Sequence, residues 1–133
     1  MTATSEQILL RLNPNQRDAV VYDSGPLLVL AGPGSGKTRV ITHRIAFMIG
    51  PRGLHPTSIM AVTFTNKAAR EMIDRLRILV PGEQERLTVG TFHAICAKIL
   101  RRDGSAIGIP RSFNIADTDD QESVVKRVLK GLD

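Results

Sequence analysis

The sequence predicts an α/β fold, a parallel sheet flanked by helices. Short apolar runs (LLVLA, IMAVTF and LTV) alternate with longer segments of helical periodicity. The first run is continuous rather than alternating, the pattern of a strand covered on both faces. It passes directly into a glycine-rich stretch that opens a helix, a strand–turn–helix order found in layered α/β domains.

The elements follow in order. Asn13-Pro14 reads as a helix cap with proline at the first helical position, starting a helix through Val21. Pro26 introduces Leu27 to Ala31 as the first strand. After the glycines comes the helix TRVITHRIAFMI, and the loop GPRGLHPTS leads to the second strand, IMAVTF. Asn66 is expected to cap the next helix, whose Ala69, Met72, Ile73 and Leu76 share one face. Pro81-Gly82 stops it, and Leu87 to Val89 forms the third strand. Thr91 caps a helix with an apolar stripe of Phe92, Ile95, Cys96, Ile99 and Leu100, so Phe92 and Cys96 are expected to point into the core. Gly104, Gly108 and Pro110 then break the pattern, and FNI reads as a short extended piece. A last helix starts in the acidic cluster Asp117 to Asp120 and ends in Lys126, Arg127 and Lys130 before Gly131, matching the helix macrodipole.

Composition narrows the class. The 133 residues suffice for one compact domain, and 42% hydrophobic with 23% charged residues is ordinary globular usage. No apolar run approaches the roughly 20 residues of a membrane span. The start, MTATSEQILLRLNPNQ, lacks the basic-then-apolar order of a secretory signal. A single cysteine, Cys96, excludes a disulfide framework and suggests a reducing, cytoplasmic setting. The net charge of +5 suits a polyanionic partner without requiring one.

Ala31-Gly32-Pro33-Gly34-Ser35-Gly36-Lys37-Thr38 is a phosphate-binding P-loop, with Ala31 where the consensus has glycine. Triphosphate binding needs several backbone N–H groups turned into one hollow, and glycine-rich backbone makes that turn while approaching the oxygens closely. The helix that follows aims its positive end at the phosphates. Lys37 neutralises the β- and γ-phosphates, and the Thr38 hydroxyl takes one site on magnesium. Such a match arises by chance in roughly one chain in a hundred of this length, and the flanking strand and helix make chance rarer still. The expected ligands are ATP and Mg2+.

Further segments make the chain resemble superfamily 1 DNA helicases of the UvrD/Rep/PcrA type. Leu12-Asn13-Pro14-Asn15-Gln16 matches that family's Q motif. The P-loop continues into Arg39, as AGPGSGKTRVITHRI. Thr63-Phe64-Thr65-Asn66-Lys67-Ala68-Ala69, continuing to Glu71-Met72, matches motif Ia, and Thr91-Phe92-His93 with AICAKILRR matches the next DNA-contact motif. FNIADTDDQ is similar to the family as well.

The resemblance implies a RecA-like P-loop domain, and it implies roles that the residues alone leave open. An amide presents a donor and an acceptor together, as an adenine edge does. Taken alone, Gln16 is an exposed helix residue; the family makes it the adenine contact, with Arg39 near the adenine or its sugar. Taken alone, Phe64 is core; the family makes it a base-stacking residue on single-stranded DNA, where aromatic faces bind without reading sequence. Thr63, Phe64 and Asn66 stand at the end of the second predicted strand, and Thr91 and His93 follow the third. Ligands of open α/β sheets gather at such edges. A hydroxyl and a helix N-terminus suit phosphate, and His93 lies off the apolar stripe. Lys98, Arg101 and Arg102 read as a solvated face.

Two other constellations are set aside. Asp117, Asp119 and Asp120 suit helix capping better than the acidic pair of a P-loop enzyme, and a calcium loop would need a glycine this run lacks. His43, His55 and His93 have no metal-ligand spacing, and no zinc site is expected.

The chain lacks an apolar strand ending in Asp-Glu and any later arginine motif. The family places ATP between two RecA-like domains, the first interrupted by a helical insertion. The resemblance therefore makes residues 1–110 the N-terminal part of the first motor domain and residues 111–133 the start of the inserted subdomain. The intact protein would be an ATP-dependent 3′-to-5′ DNA helicase of repair or replication, acting on single-stranded and partly duplex DNA. By itself the chain is expected to bind nucleotide without turnover; a helicase-nuclease subunit is the other reading.

Overall fold

The structure, a computed structural model, describes residues 4–131, so the outermost residues of the two expected segments lie outside it. It forms two compact units, one ending at Ile95 and the other beginning at Cys96.

The first unit opens with a short helix not anticipated from the sequence, α1 (Ser5–Leu9). Its signal was present: Thr4 and Gln7 form a reciprocal capping box, with the Gln7 N–H donating to Thr4 Oγ1 and the Thr4 N–H to Gln7 Oε1. Helix α2 (Pro14–Val21) has the expected bounds, capped by Asn13. Helix α3 (Lys37–Ile49) follows the glycine-rich loop. Strand β1 (Met60–Thr63), helix α4 (Asn66–Leu79), strand β2 (Thr88–Thr91) and helix α5 (Phe92–Asp103) complete the sequence of elements up to the second unit.

The strands pair in parallel, Met60 opposite Thr88 and Thr63 opposite Thr91, with α4 as the crossover. Because the strands run the same way, the chain leaves both at one edge. There β1 gives way to Phe64 and β2 to Phe92.

One predicted strand is corrected. Leu27 to Ala31 carries no regular secondary structure, and the sheet among the described residues is two-stranded. An apolar run favours a strand, but a strand exists only through ladder bonds to a neighbour. This segment has none, and Leu28 and Leu30 stand 80% and 87% exposed.

The core of this unit is where the helical stripes meet the sheet. Ile45, Ala46 and Ile49 of α3 pack with Met72 and Leu76 of α4, Ile8 of α1, and Ile59, Ala61 and Val80. A smaller cluster joins Leu12, Val20 and Val40, fixing α2 against the start of α3. Full burial of such side chains stabilises by about 1.5–3 kcal/mol each. Arg44 of α3 reinforces that contact by donating to the carbonyls of Ala19 and Tyr22, both at 2.8 Å. Its charge sits at the C-terminal end of α2, where the dipole favours a cation.

Two caps repay comparison with the sequence. Helix α4 is capped by Thr65, whose Oγ1 accepts from the Ala68 N–H at 3.1 Å, while Asn66 is its first helical residue. Either side chain suits the role, and the extended backbone at Thr65 (φ −125°, ψ 149°) decides it. Thr91 does cap α5, accepting from the Ala94 N–H at 3.2 Å.

The second unit holds the rest of α5, a 3-10 turn over Gly104–Ile107 and helix α6 (Thr118–Lys130). Asp117 caps α6, with its carboxylate accepting from the Asp120 N–H at 2.9 Å, as the acidic cluster suggested. The apolar stripe of α5 is only partly core. Ile95 is buried, whereas Cys96 is exposed, Phe92 is 68% exposed and Ile99 42%. The 3.6-residue period marks a face but does not supply what covers it. Among the described residues no helix is long and apolar enough to cross a membrane.

Candidate functional site

The glycine-rich loop is built for close backbone approach. Gly34 and Gly36 have φ of 74° and 86°, the left-handed region that a side chain would strain. Gly36 is the N-cap of α3, and a Cβ at Gly32 or Gly34 would meet nothing within 4 Å. Ser35 Oγ donates to Gly32 O at 2.6 Å, closing the turn on itself.

Lys37 folds back over the loop. Its Nζ donates to Ala31 O at 2.9 Å and to Gly32 O at 2.7 Å. The ammonium is thus held over the glycines by two neutral acceptors. Phosphate oxygens within the same reach would be the stronger, charge-assisted partners. Thr38, the next residue, is half-buried in the first turn of α3, and Pro33 stands exposed in the turn itself.

Gln16 lies against this loop. Its Oε1 accepts from the Asn13 N–H at 3.1 Å, and its Nε2 donates to Ser35 O at 3.1 Å. The fit is close: a Cβ added to Gly36 would stand 2.9 Å from Gln16 Nε2 and 3.8 Å from the Cβ of Arg39. Nineteen residues of chain separate Gln16 from Ser35, and the packing of α2 on α3 joins them.

Arg39 lines a hollow of about 380 Å³ between α3 and α4, with Thr42, His43, Arg75, Ile78 and Leu79. His43 donates through Nδ1–H to Arg39 O at 2.8 Å. Burial pushes the His43 pKa below its ordinary 6.5; the Arg39 carbonyl opposes that, and the charges of Arg39 and Arg75 add to it.

The second set of expected residues meets at the shared edge of the two strands. Thr63 Oγ1 donates to Thr65 O at 3.1 Å and lies 3.4 Å from Gly90 O, tying the two strand ends together. Phe64 is wholly exposed, at 103%. Asn66 and His93 are exposed, whereas Thr91 is 8% exposed with its hydroxyl engaged in capping α5. Phe92, expected in the core, instead lines a hollow of about 290 Å³ with Val62, Thr63, Phe64 and His93. As the first residue of α5 it sits at the open strand edge, which helical periodicity alone could not reveal.

Comparison with known proteins gives the family. The UvrD/REP helicase N-terminal domain matches residues 12–133. The chain is similar to the ATP-dependent DNA helicase PcrA of Bacillus subtilis (strain 168), 53% identical over 131 residues, which is 98% of this chain and 18% of that protein. It is similar to the protein of the same name from Staphylococcus aureus (strain Mu50), 51% identical over 123 residues, 92% of this chain and 17% of the relative. The Staphylococcus epidermidis counterpart is 50% identical over the same length. The chain therefore spans less than a fifth of the relatives it matches.

Proposed function

The chain belongs to the UvrD/REP helicase family, and from that premise we propose that it is the nucleotide-binding N-terminal portion of an ATP-dependent DNA helicase. The observation that carries the reading is the contact between Gln16 and the Ser35 carbonyl. It sets an amide that can read a base edge beside a loop suited to phosphates.

In this reading residues 31–38 cradle the triphosphate in a RecA-like domain. The loop fits such a ligand, with glycine backbone in left-handed geometry and the Lys37 ammonium poised above it. Thr38 would hold magnesium, which when bound neutralises charge developing on the phosphates. Lys37 exchanges its carbonyl partners for phosphate oxygens, Gln16 turns its amide to adenine, and Arg39 closes the base side. The strand-end edge meets single-stranded DNA through Thr63, Phe64, Asn66 and His93, while Thr91 holds the α5 N-terminus in place. Residues 1–110 would form the first part of the motor domain, and residues 111–133 the approach to its insertion. The intact protein would move 3′ to 5′ on DNA in repair or replication, in the cytoplasm.

The test is binding of a fluorescent ATP analogue to the full-length protein. Lys37→Ala should abolish tight binding while leaving the circular dichroism spectrum unchanged. Equal affinity in the two proteins would remove the phosphate-loop assignment.

A further inference from the structure

Helices α2 and α3 meet turn by turn. Gly36 faces Gln16, whose Nε2 would lie 2.9 Å from a Cβ placed there. One turn on, Val40 packs with the fully buried Val20. One turn further, Arg44 reaches the end of α2 and donates through Nη1 to the carbonyls of Ala19, Val20 and Tyr22, at 2.8, 3.3 and 2.8 Å. Its guanidinium carbon stands 6.0 Å from the centre of the Tyr22 ring. Arg52, just beyond α3, donates to the Val21 carbonyl and pairs with Asp23 at 2.7 Å. The carbonyls of residues 19 to 22, which α2 itself leaves without partners, are thus all held by two arginines.

We propose that Arg44 is a positioning residue for base selection: by pinning the end of α2 it fixes how far that helix slides along α3, and so where the Gln16 amide stands. This rests on the reading of Gln16 as the base contact. Helix α2 needs such a pin. It has eight residues and buries only Val20, and helices shorter than about 12–15 residues are marginal by themselves. The apolar contact of Val20 with Val40 is non-directional and tolerates sliding, whereas the bonds from Arg44 have fixed directions. A slip of one residue along the helix is about 1.5 Å. That takes the 3.1 Å bond from Gln16 Nε2 to Ser35 O out of hydrogen-bonding range. An amide displaced so far no longer meets both the donor and the acceptor of an adenine edge. The loop, by contrast, is closed by its own contacts, Ser35 Oγ to Gly32 O and Lys37 Nζ to the carbonyls of Ala31 and Gly32. Arg44 therefore governs the choice of base and not the grip on phosphate.

The experiment measures ATP, GTP and inorganic tripolyphosphate binding to full-length protein, by competition with a fluorescent ATP analogue. The proteins compared are native, Gln16→Ala, Arg44→Met and the double variant. Methionine keeps an apolar stem and removes the donors. Native protein should prefer ATP to GTP by about tenfold, the worth of a well-set amide contact. Arg44→Met should lose about that tenfold in ATP affinity, with GTP and tripolyphosphate affinities unchanged. The double variant should discriminate no less than Gln16→Ala alone, because both changes act on one contact. Discrimination lost in Gln16→Ala but kept in Arg44→Met overturns the positioning role and leaves Gln16 as the base contact. No preference in native protein, or preference kept in Gln16→Ala, removes that contact and the positioning role with it. Equal losses for all three ligands in Arg44→Met mean a general loosening of the fold, which also overturns the role. If Arg44→Met fails to fold by circular dichroism, Arg44→Lys decides. A single ammonium lacks the planar fork of guanidinium and does not hold the same carbonyls together, so discrimination should fall there too. Native discrimination in folded Arg44→Lys overturns the inference.

Discussion

Replacing Gly36 with alanine should act on the glycine-rich loop through two separable costs. The residue has φ 86° and ψ 25°, left-handed geometry that costs a side-chain-bearing residue about 1–2 kcal/mol. The new Cβ would also stand 2.9 Å from Gln16 Nε2, too close for the amide to remain in place. Gln16 can swing away, but it then gives up its 3.1 Å bond to Ser35 O, worth about 0.5–1.5 kcal/mol. Together these predict about 1.5–3.5 kcal/mol of local destabilisation. Gly34 is the control: its φ of 74° carries the same backbone cost, but nothing lies within 4 Å of its Cβ position. Gly34→Ala should therefore cost only about 1–2 kcal/mol. In a Gln16→Ala background Gly36→Ala should fall to that same cost, a coupling of about 1 kcal/mol. Hydrogen exchange on peptides covering residues 32–44 of the full-length protein reads these openings, because the Val40 N–H donates to Gly36 O at 3.0 Å. Gly36→Ala, but not Gly34→Ala, should also erode any preference for ATP over GTP. Equal costs at the two glycines, or strict additivity of Gly36→Ala with Gln16→Ala, would refute the contact between Gln16 and the loop.

Two further outcomes are expected. Thr65→Ala should destabilise α4 by about 1 kcal/mol, read as faster amide exchange at Ala68, whereas Asn66→Ala should leave that exchange unchanged. Burial lowers the His43 pKa below 6.5, so the unfolded chain binds a proton more readily than the folded one as pH falls through that region. The stability is present above pH 6.5 and is lost on acidification towards the lower, folded-state value. Thermal unfolding between pH 7.5 and about 5.5 should therefore show a larger drop for the native protein than for His43→Gln.

Local chemistry was legible in the sequence where neighbouring residues fix the outcome. Asn13-Pro14 set the start of α2, and Asp117 the start of α6, because a cap and its recipient N–H lie three residues apart. The same logic, applied to Thr4 and Gln7, would have revealed α1. The glycines of the loop were readable for a similar reason, since two of them adopt backbone that other residues avoid. What periodicity could not give was the partner of each apolar surface. Leu27 to Ala31 has strand composition and no ladder, and Phe92 and Cys96 lie on a helical stripe that is open at those positions. Nor could it give long-range contacts, such as Gln16 to Ser35 or Arg44 to the end of α2, which depend on how α2 packs on α3.

The central claim is that the phosphate loop and the strand-end edge are two ends of one DNA-driven ATPase. Steady-state ATP hydrolysis by the full-length protein, measured with and without single-stranded DNA, tests it most directly. Native protein should hydrolyse ATP faster when DNA is added. Phe64→Ala should keep the DNA-free rate but need far more DNA for the same stimulation. Hydrolysis that ignores DNA in the native protein, or stimulation by the same DNA concentration in Phe64→Ala, would contradict the account.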